Sequence, residues 1–124
     1  MITIDQIQSF CLKKELASQT FPFDNSTLVF KVLGKVFAVC PLEAWESGSP
    51  SITLNCDSIY ALELRNSYDS IRPGFHSNKK HWNTVYLSNA GFSRQFIFEL
   101  IDHSYSMVVQ NMPKKLKIQF KSHN

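Results

Sequence analysis

The stretch Thr27 to Cys40, TLVFKVLGKVFAVC, decides the fold class. Two runs rich in β-branched and aromatic residues, Thr27–Val32 and Lys35–Cys40, flank the pair Leu33-Gly34. Such runs favour strands, and a connection this short folds them into a β-hairpin. Gly34 is expected at a positive φ, which a residue with a Cβ resists. Pro41 to Pro50, PLEAWESGSP, is polar and turn-rich and predicts a loop with at most one short helical turn. Ser51 to Cys56 then alternates. Ile52, Leu54 and Cys56 point one way and Ser51, Thr53 and Asn55 the other, as in a strand with one wet face.

Helical signals lie on both sides of this hairpin and strand. Thr3-Ile4-Asp5-Gln6 has the form of a capping box. Ile4, Ile7, Phe10 and Cys11 follow at helical spacing, predicting an amphipathic helix over residues 4–15. Phe21-Pro22-Phe23-Asp24 is a stiff connector, because the proline fixes its own φ and biases Phe21 towards an extended shape. Asp57 or Ser58 caps a second helix, with Ile59, Leu62 and Tyr60 as the expected buried stripe, and Tyr68-Asp69-Ser70 breaks it. A fourth strand is expected around Trp82–Leu87 and a turn over Ser88–Gly91. Ser93 caps the longest helix, with Phe92 and Ile97 at hydrophobic-staple positions. Phe96, Ile97, Leu100, Ile101, Ser104 and Val108 keep its period until Asn111-Met112-Pro113. The basic tail from Lys114 to Lys121 fits a short final helix that packs Leu116 and Phe120. This order predicts an α+β two-layer sandwich, a mostly antiparallel sheet with its helices on one face. The other face, carrying Thr53, Asn55, Lys31 and part of residues 72–87, is left for solvent or a partner.

Length and composition agree with a single domain over residues 1–124. The chain has 124 residues, 44% hydrophobic, with ten phenylalanines, enough to build one core around aromatic rings and too short for two. Net charge is +3, but its distribution is uneven. Residues 1–71 hold five Lys/Arg against eight Asp/Glu, and residues 72–124 hold eight against two. The second part therefore carries the positive field, which suits phosphates or acidic partners. Cys11, Cys40 and Cys56 are odd in number and widely spaced, and read as reduced, partly buried thiols of a cytosolic protein. No charged-then-apolar leader opens the chain and no apolar run approaches a membrane span, so a cytoplasmic location without membrane attachment is the default expectation.

The densest polar stretch is Arg72 to Leu87, RPGFHSNKKHWNTVYL. It combines a Pro-Gly turn, two histidines, three cations and a tryptophan in sixteen positions. Nucleic-acid binding needs cations at phosphate spacing, together with groups that hydrogen-bond or stack. Lys79, Lys80, Arg72 and His76 supply the first, Asn78, Asn83 and Trp82 the second, and His81 adds charge when protonated. The favoured reading of Trp82, at a strand start, is nonetheless a packed ring. Lys31 and Lys35 flank a separate hairpin tip, so two basic hairpins can straddle a duplex backbone, with Lys114, Lys115, Lys117 and Lys121 as a third contact. Protonation of the histidines adds charge, so acid pH is expected to tighten binding. Metal and cofactor sites are not expected: no close ligand pair of the C-x₂-C kind exists, and His76 and His81 stand alone. Enzyme activity is not expected either. Asp102 and His103 are neighbours on a helix and so point about 100° apart, and Cys56 with His103 is a weak nucleophile pair.

RPGFHSNKKHWNTVYL closely resembles the signature of the MmcQ/YjbR-like proteins. FPFD at Phe21–Asp24, VFKVLGKVFA at Val29–Ala38, ITLNCD at Ile52–Asp57, LIDHSYSMVV at Leu100–Val109 and PKKL at Pro113–Leu116 are similar in register. The resemblance implies a fold like CyaY/frataxin and a double-wing DNA-binding protein; a monomer is the expected assembly. It places Arg72, Pro73, Gly74, His76, Asn78, Lys79, Lys80, His81, Trp82 and Asn83 at characteristic positions. Leu33 and Ser77 depart from it, since a second glycine is frequent at the first and Met at the second. The other reading of the same residues is a module that binds an acidic protein or a small anion.

Overall fold

The computed structural model describes residues 2–21, 26–74, 78–88 and 91–120. Six strands, β1 (Ala17–Thr20), β2 (Thr27–Val32), β3 (Lys35–Pro41), β4 (Ser51–Asn55), β5 (Ile71–Pro73) and β6 (Trp82–Tyr86), form one antiparallel sheet in the order β1-β2-β3-β4-β6-β5. Five helices accompany it: α1 (Ile4–Leu12), α2 (Leu42–Glu46), α3 (Ser58–Ser67), α4 (Arg94–Asn111) and α5 (Lys114–Lys117). The fold is the α+β sandwich that the sequence predicts.

The core lies between the sheet and α1, α3 and α4. Paired residues of neighbouring strands share a face, so the register Gln19–Phe30–Ala38–Leu54–Asn83–Pro73 marks the row that looks at the helices. Phe30, Ala38 and Leu54 from that row are buried with Ile7 and Cys11 of α1, Ala61 and Leu64 of α3, and Ile97, Leu100 and Ile101 of α4. The next row, Thr20–Val29–Val39–Thr53–Thr84–Arg72, looks away from the helices. There the Thr53 and Thr84 hydroxyls hydrogen-bond across the strands at 2.8 Å.

Local chemistry explains the element ends. Thr3 and Gln6 form the expected capping box on α1, Asp57 Oδ2 accepts the Ile59 and Tyr60 N–H groups on α3, and Ser93 Oγ accepts the Phe96 N–H on α4. The β2–β3 turn puts Leu33 at φ 49° and Gly34 at φ 80°, the doubly left-handed turn whose twist matches the flanking strands. Gly34 takes the expected conformation. Leu33 takes it despite its Cβ, at a cost of roughly 1–2 kcal/mol.

A bulge in β3 leaves Phe37 between the pairs Phe30–Ala38 and Lys31–Val36. The extra residue turns the Phe37 ring inward, edge-on to Tyr105 of α4 at 5.4 Å. Beside the bulge β3 and β4 pair only at Ala38–Leu54 and Val39–Thr53. Where they separate, the buried Ser104 hydroxyl takes the Asn55 N–H at 2.9 Å and donates to the Phe37 carbonyl at 2.5 Å. A helix side chain thus closes a gap between two strands.

Five expectations are corrected. Helix α1 ends at Leu12, not residue 15, because the chain turns through Leu16 at φ 62° into β1. Strands β1 and β5 were not anticipated; the first is a polar edge strand and the second three residues ending in proline. On α3 the buried stripe is Ala61 and Leu64, whereas Ile59 and Leu62 are 68% and 56% exposed. Both pairs have helical spacing; on the side that packs, the Asn83 amide reaches the Ala61 carbonyl at 3.4 Å. Ser51, expected on a wet face, is buried beside Trp45, whose indole N–H donates to its carbonyl at 2.9 Å. At the start of α4 Phe92 packs on the rings of Phe96 and Tyr68, centroids 5.2 and 5.3 Å away, while Ile97 enters the core. The Phe21–Asp24 connector lies largely outside the described residues, as does Asn89-Ala90 of the turn before α4. Among the described residues no helix is long and apolar enough to cross a membrane.

Candidate functional site

Strand register gathers the basic segments at one end of the sheet. Lys35 opens β3, beside the β2–β3 turn. Antiparallel pairing puts that end of β3 level with the C-terminal end of β4, where Asn55 pairs with Trp82, the first residue of β6. Pro73, the last residue of β5, pairs with Asn83 at this same end. The turn Asn78–His81 leads directly into Trp82. A cleft lined by Lys35, Asn55, Asn111, Met112 and Pro113 brings the end of α4 here too, immediately before Lys114, Lys115 and Lys117 of α5. β4 alone lies between β3 and β6, and at this end β3 and β4 part beyond the Ala38–Leu54 pair. Exposed Glu43, Glu46 and Asp69 adjoin the opposite ends of the strands, after Pro41 and before Ile71. The sheet is thus polarised along its strands.

The Asn78–His81 turn is built by side chains. Asn78 Oδ1 accepts the Lys80 N–H at 3.1 Å and its carbonyl accepts the His81 N–H at 3.1 Å, the self-bonding turn that asparagine favours. The His81 carbonyl accepts the Cys56 N–H at 2.7 Å, and the Gly74 N–H donates to the Trp82 carbonyl at 2.8 Å. Arg65 of α3 completes the frame. Its Nε donates to Asn83 Oδ1 at 2.6 Å and one terminal nitrogen donates to the carbonyls of Lys79 and Trp82, the latter at 3.3 Å. Helix side chains lean towards the helix N-terminus, which lets Arg65, in the last turn of α3, reach back to this end. Arg65 was not among the residues singled out from the sequence. An arginine in the last turn of a helix reads as dipole complement, and nothing local signals a partner fourteen residues away.

Lys35, Arg72, Asn78, Lys79, Lys80, Lys114 and Lys115 are exposed, and Lys31, His81, Trp82 and Lys117 are half-buried. Arg72 lies on the face away from the helices, paired across the strands with Thr84. Asn83 is 2% exposed, so it shapes the turn from beneath and offers nothing to an external ligand. His76 and Lys121 lie outside the described residues. Among the described residues the ion pair is Lys14–Asp102, and none of the exposed lysines at the basic end has a carboxylate within pairing distance. Asp57, the acidic residue closest in sequence to this end, spends its carboxylate on the α3 cap.

The groups considered for catalysis are occupied or quenched. Cys11, Cys40 and Cys56 are free and buried. Burial pushes the Cys11 thiol up to about 12 and that of Cys56 up to about 11, and raises Cys40 as well. His103 Nε2 accepts the Asp57 N–H at 3.2 Å, and its ring stands edge-on to Tyr60 at 5.1 Å. Desolvation lowers the His103 pKa, opposed by the nearby Asp57 charge. Among the described residues no three His, Cys, Asp or Glu side chains gather as a metal site.

Comparison with known proteins adds family and fold. The Escherichia coli protein YjbR is 32% identical over 121 residues, covering 95% of this chain and 99% of its own. YbdF of Escherichia coli O157:H7 is 37% identical over 95 residues, 77% of this chain and 75% of its own. A crystal structure of a Deinococcus radiodurans protein with a DUF419 domain matches at TM-score 0.84 and 34% identity, covering 96% of this chain and 88% of that one. A Pseudomonas syringae protein structure matches at TM-score 0.71 and 24% identity, over 86% and 99% of the two chains, and so shares the fold. The YjbR family model spans residues 12–107, from the end of α1 to late α4 and including the whole sheet with its basic turn. The chain belongs to the YjbR family.

Proposed function

We propose that the protein is a non-catalytic DNA-binding module whose basic end straddles the phosphate backbone of a duplex. One observation carries the reading: Lys35, Lys79, Lys80, Lys114 and Lys115, on three separate segments, meet at one end of the sheet without carboxylate partners among the described residues. β4 alone separates the two hairpins in the sheet order, so their tips lie side by side at one end. Of the two asparagines in the set, Asn83 is buried and Asn78 spends its Oδ1 on its own turn, which favours backbone over base contacts. Binding is therefore sequence-blind and electrostatic. Four to six phosphate contacts imply micromolar affinity that falls about 10² to 10³-fold between 50 and 200 mM salt. Buried free thiols fit a reducing compartment such as the cytoplasm.

A fluorescence titration of labelled duplex at two salt concentrations, beside the double variant Lys79→Glu/Lys80→Glu, tests this. Steep salt dependence and a large loss in the variant are expected. Weak binding that ignores both would leave an acidic protein or a small anion as the ligand class.

A further inference from the structure

The turn that presents Lys79 and Lys80 lies outside the strand ladder. Its backbone is framed by the Asn78 side chain from within and by one guanidinium from below. We propose that Arg65 is the positioning residue of the basic surface: anchored on Asn83, it grips the Lys79 and Trp82 carbonyls and so sets where the two lysine ammonium groups are offered. The proposal deepens the DNA-binding reading and rests on it for its consequence, though not for its geometry.

The chemistry asks for arginine in particular. Three acceptors, the Asn83 amide oxygen and two backbone carbonyls, are reached from two different nitrogens of one rigid fork. A lysine ammonium is a single point on a flexible stem and cannot span them. All three acceptors are neutral, so the fork holds them by hydrogen bonds and not by ion pairing. Asn83 is fixed in turn, because its amide nitrogen donates to the Ala61 carbonyl one helical turn before Arg65. Helix α3, the start of β6 and the turn thus form one hydrogen-bonded unit. Holding the turn in its binding shape beforehand removes an ordering cost from association.

The test uses the full chain with Arg65→Ala, Arg65→Lys, Lys79→Ala/Lys80→Ala and the triple variant Arg65→Ala/Lys79→Ala/Lys80→Ala. Two readouts apply: duplex affinity across salt, and amide hydrogen exchange at Lys80 and His81 with Ile101 in α4 as the fold control. Arg65→Ala is expected to weaken binding by at least about tenfold and to flatten the salt slope by more than one phosphate contact. It should add nothing further once both lysines are gone. Arg65→Lys keeps the charge and is expected to behave like Arg65→Ala, with faster exchange at Lys80 and His81 and unchanged exchange at Ile101. Wild-type binding by Arg65→Lys overturns the proposal, as does a loss that adds fully to that of the lysine pair, which would make Arg65 a phosphate contact itself. If the wild-type protein binds no duplex, the functional reading falls and exchange alone decides the positioning role: unchanged rates at Lys80 and His81 in both Arg65 variants reject it, and faster rates there uphold it.

Discussion

The backbone N–H of Asp57 donates to Nε2 of His103 at 3.2 Å, tying the residue that caps α3 to the middle of α4. The bond needs a neutral imidazole with Nε2 as acceptor. Desolvation lowers the His103 pKa below the ordinary 6.5, and the Asp57 charge only partly offsets it. A base whose pKa is lower in the folded state is protonated more readily when unfolded. Its contribution is therefore complete above the unfolded value and is lost as pH falls through that value towards the folded one. Thermal unfolding is expected to show a Tm that drops from about pH 7.5 to about pH 5.5. In His103→Gln, whose side-chain oxygen can accept the same N–H without titrating, the drop is smaller. An equal drop in both proteins would remove His103 from the explanation.

Ser104→Ala leaves the Asn55 N–H and the Phe37 carbonyl without the hydroxyl that joins them. Unmet polar groups at a buried site cost about 1–3 kcal/mol, so the variant should lose roughly 5–10 °C in Tm. A change within about 1 °C, well under the per-kcal/mol shift expected for a small domain, would mean that the gap between β3 and β4 closes by itself.

Gly34→Ala should cost about 1–2 kcal/mol in chemical denaturation, because φ is 80° there and nothing lies within 4 Å of the added Cβ. The penalty is conformational, not steric crowding by neighbours. Gly34→Asn is expected to lose less, since asparagine tolerates this region. Equal losses would point to a different turn.

Thiol labelling checks the cysteines. With all three buried and their pKa values raised, a disulfide reagent at about pH 8 should react slowly with the native protein, while the unfolded chain should react at ordinary thiol rates. One rapidly labelled cysteine in the native state would reopen the case for a reactive site.

Much of the fold was legible because local signals stated it. Thr3-Gln6, Asp57 and Ser93 mark three helix starts, and Leu33-Gly34 marks the hairpin. Edge strands were not, since β1 is four residues of weak pattern and β5 carries a proline. The phase of α3 was ambiguous because Ile59/Leu62 and Ala61/Leu64 have the same spacing, and the side that packs meets partners remote in sequence, among them Asn83. Within the candidate site the lysines and the turn-forming Asn78 were visible as residue types. That they share one end follows from register across four strands, which no local stretch encodes. Arg65 stayed hidden for the same reason, since its partners are remote in sequence.

The sharpest test of the account is the slope of log affinity against log salt for labelled duplex. It should be measured for the wild type and for three charge-reversed pairs, Lys31→Glu/Lys35→Glu, Lys79→Glu/Lys80→Glu and Lys114→Glu/Lys115→Glu. If the three basic segments grip one backbone together, each pair should flatten the slope by about one to two phosphate contacts and weaken binding at low salt. A wild-type slope near zero, or a slope that all three pairs leave unchanged, would contradict a polyanion bound at this end of the sheet.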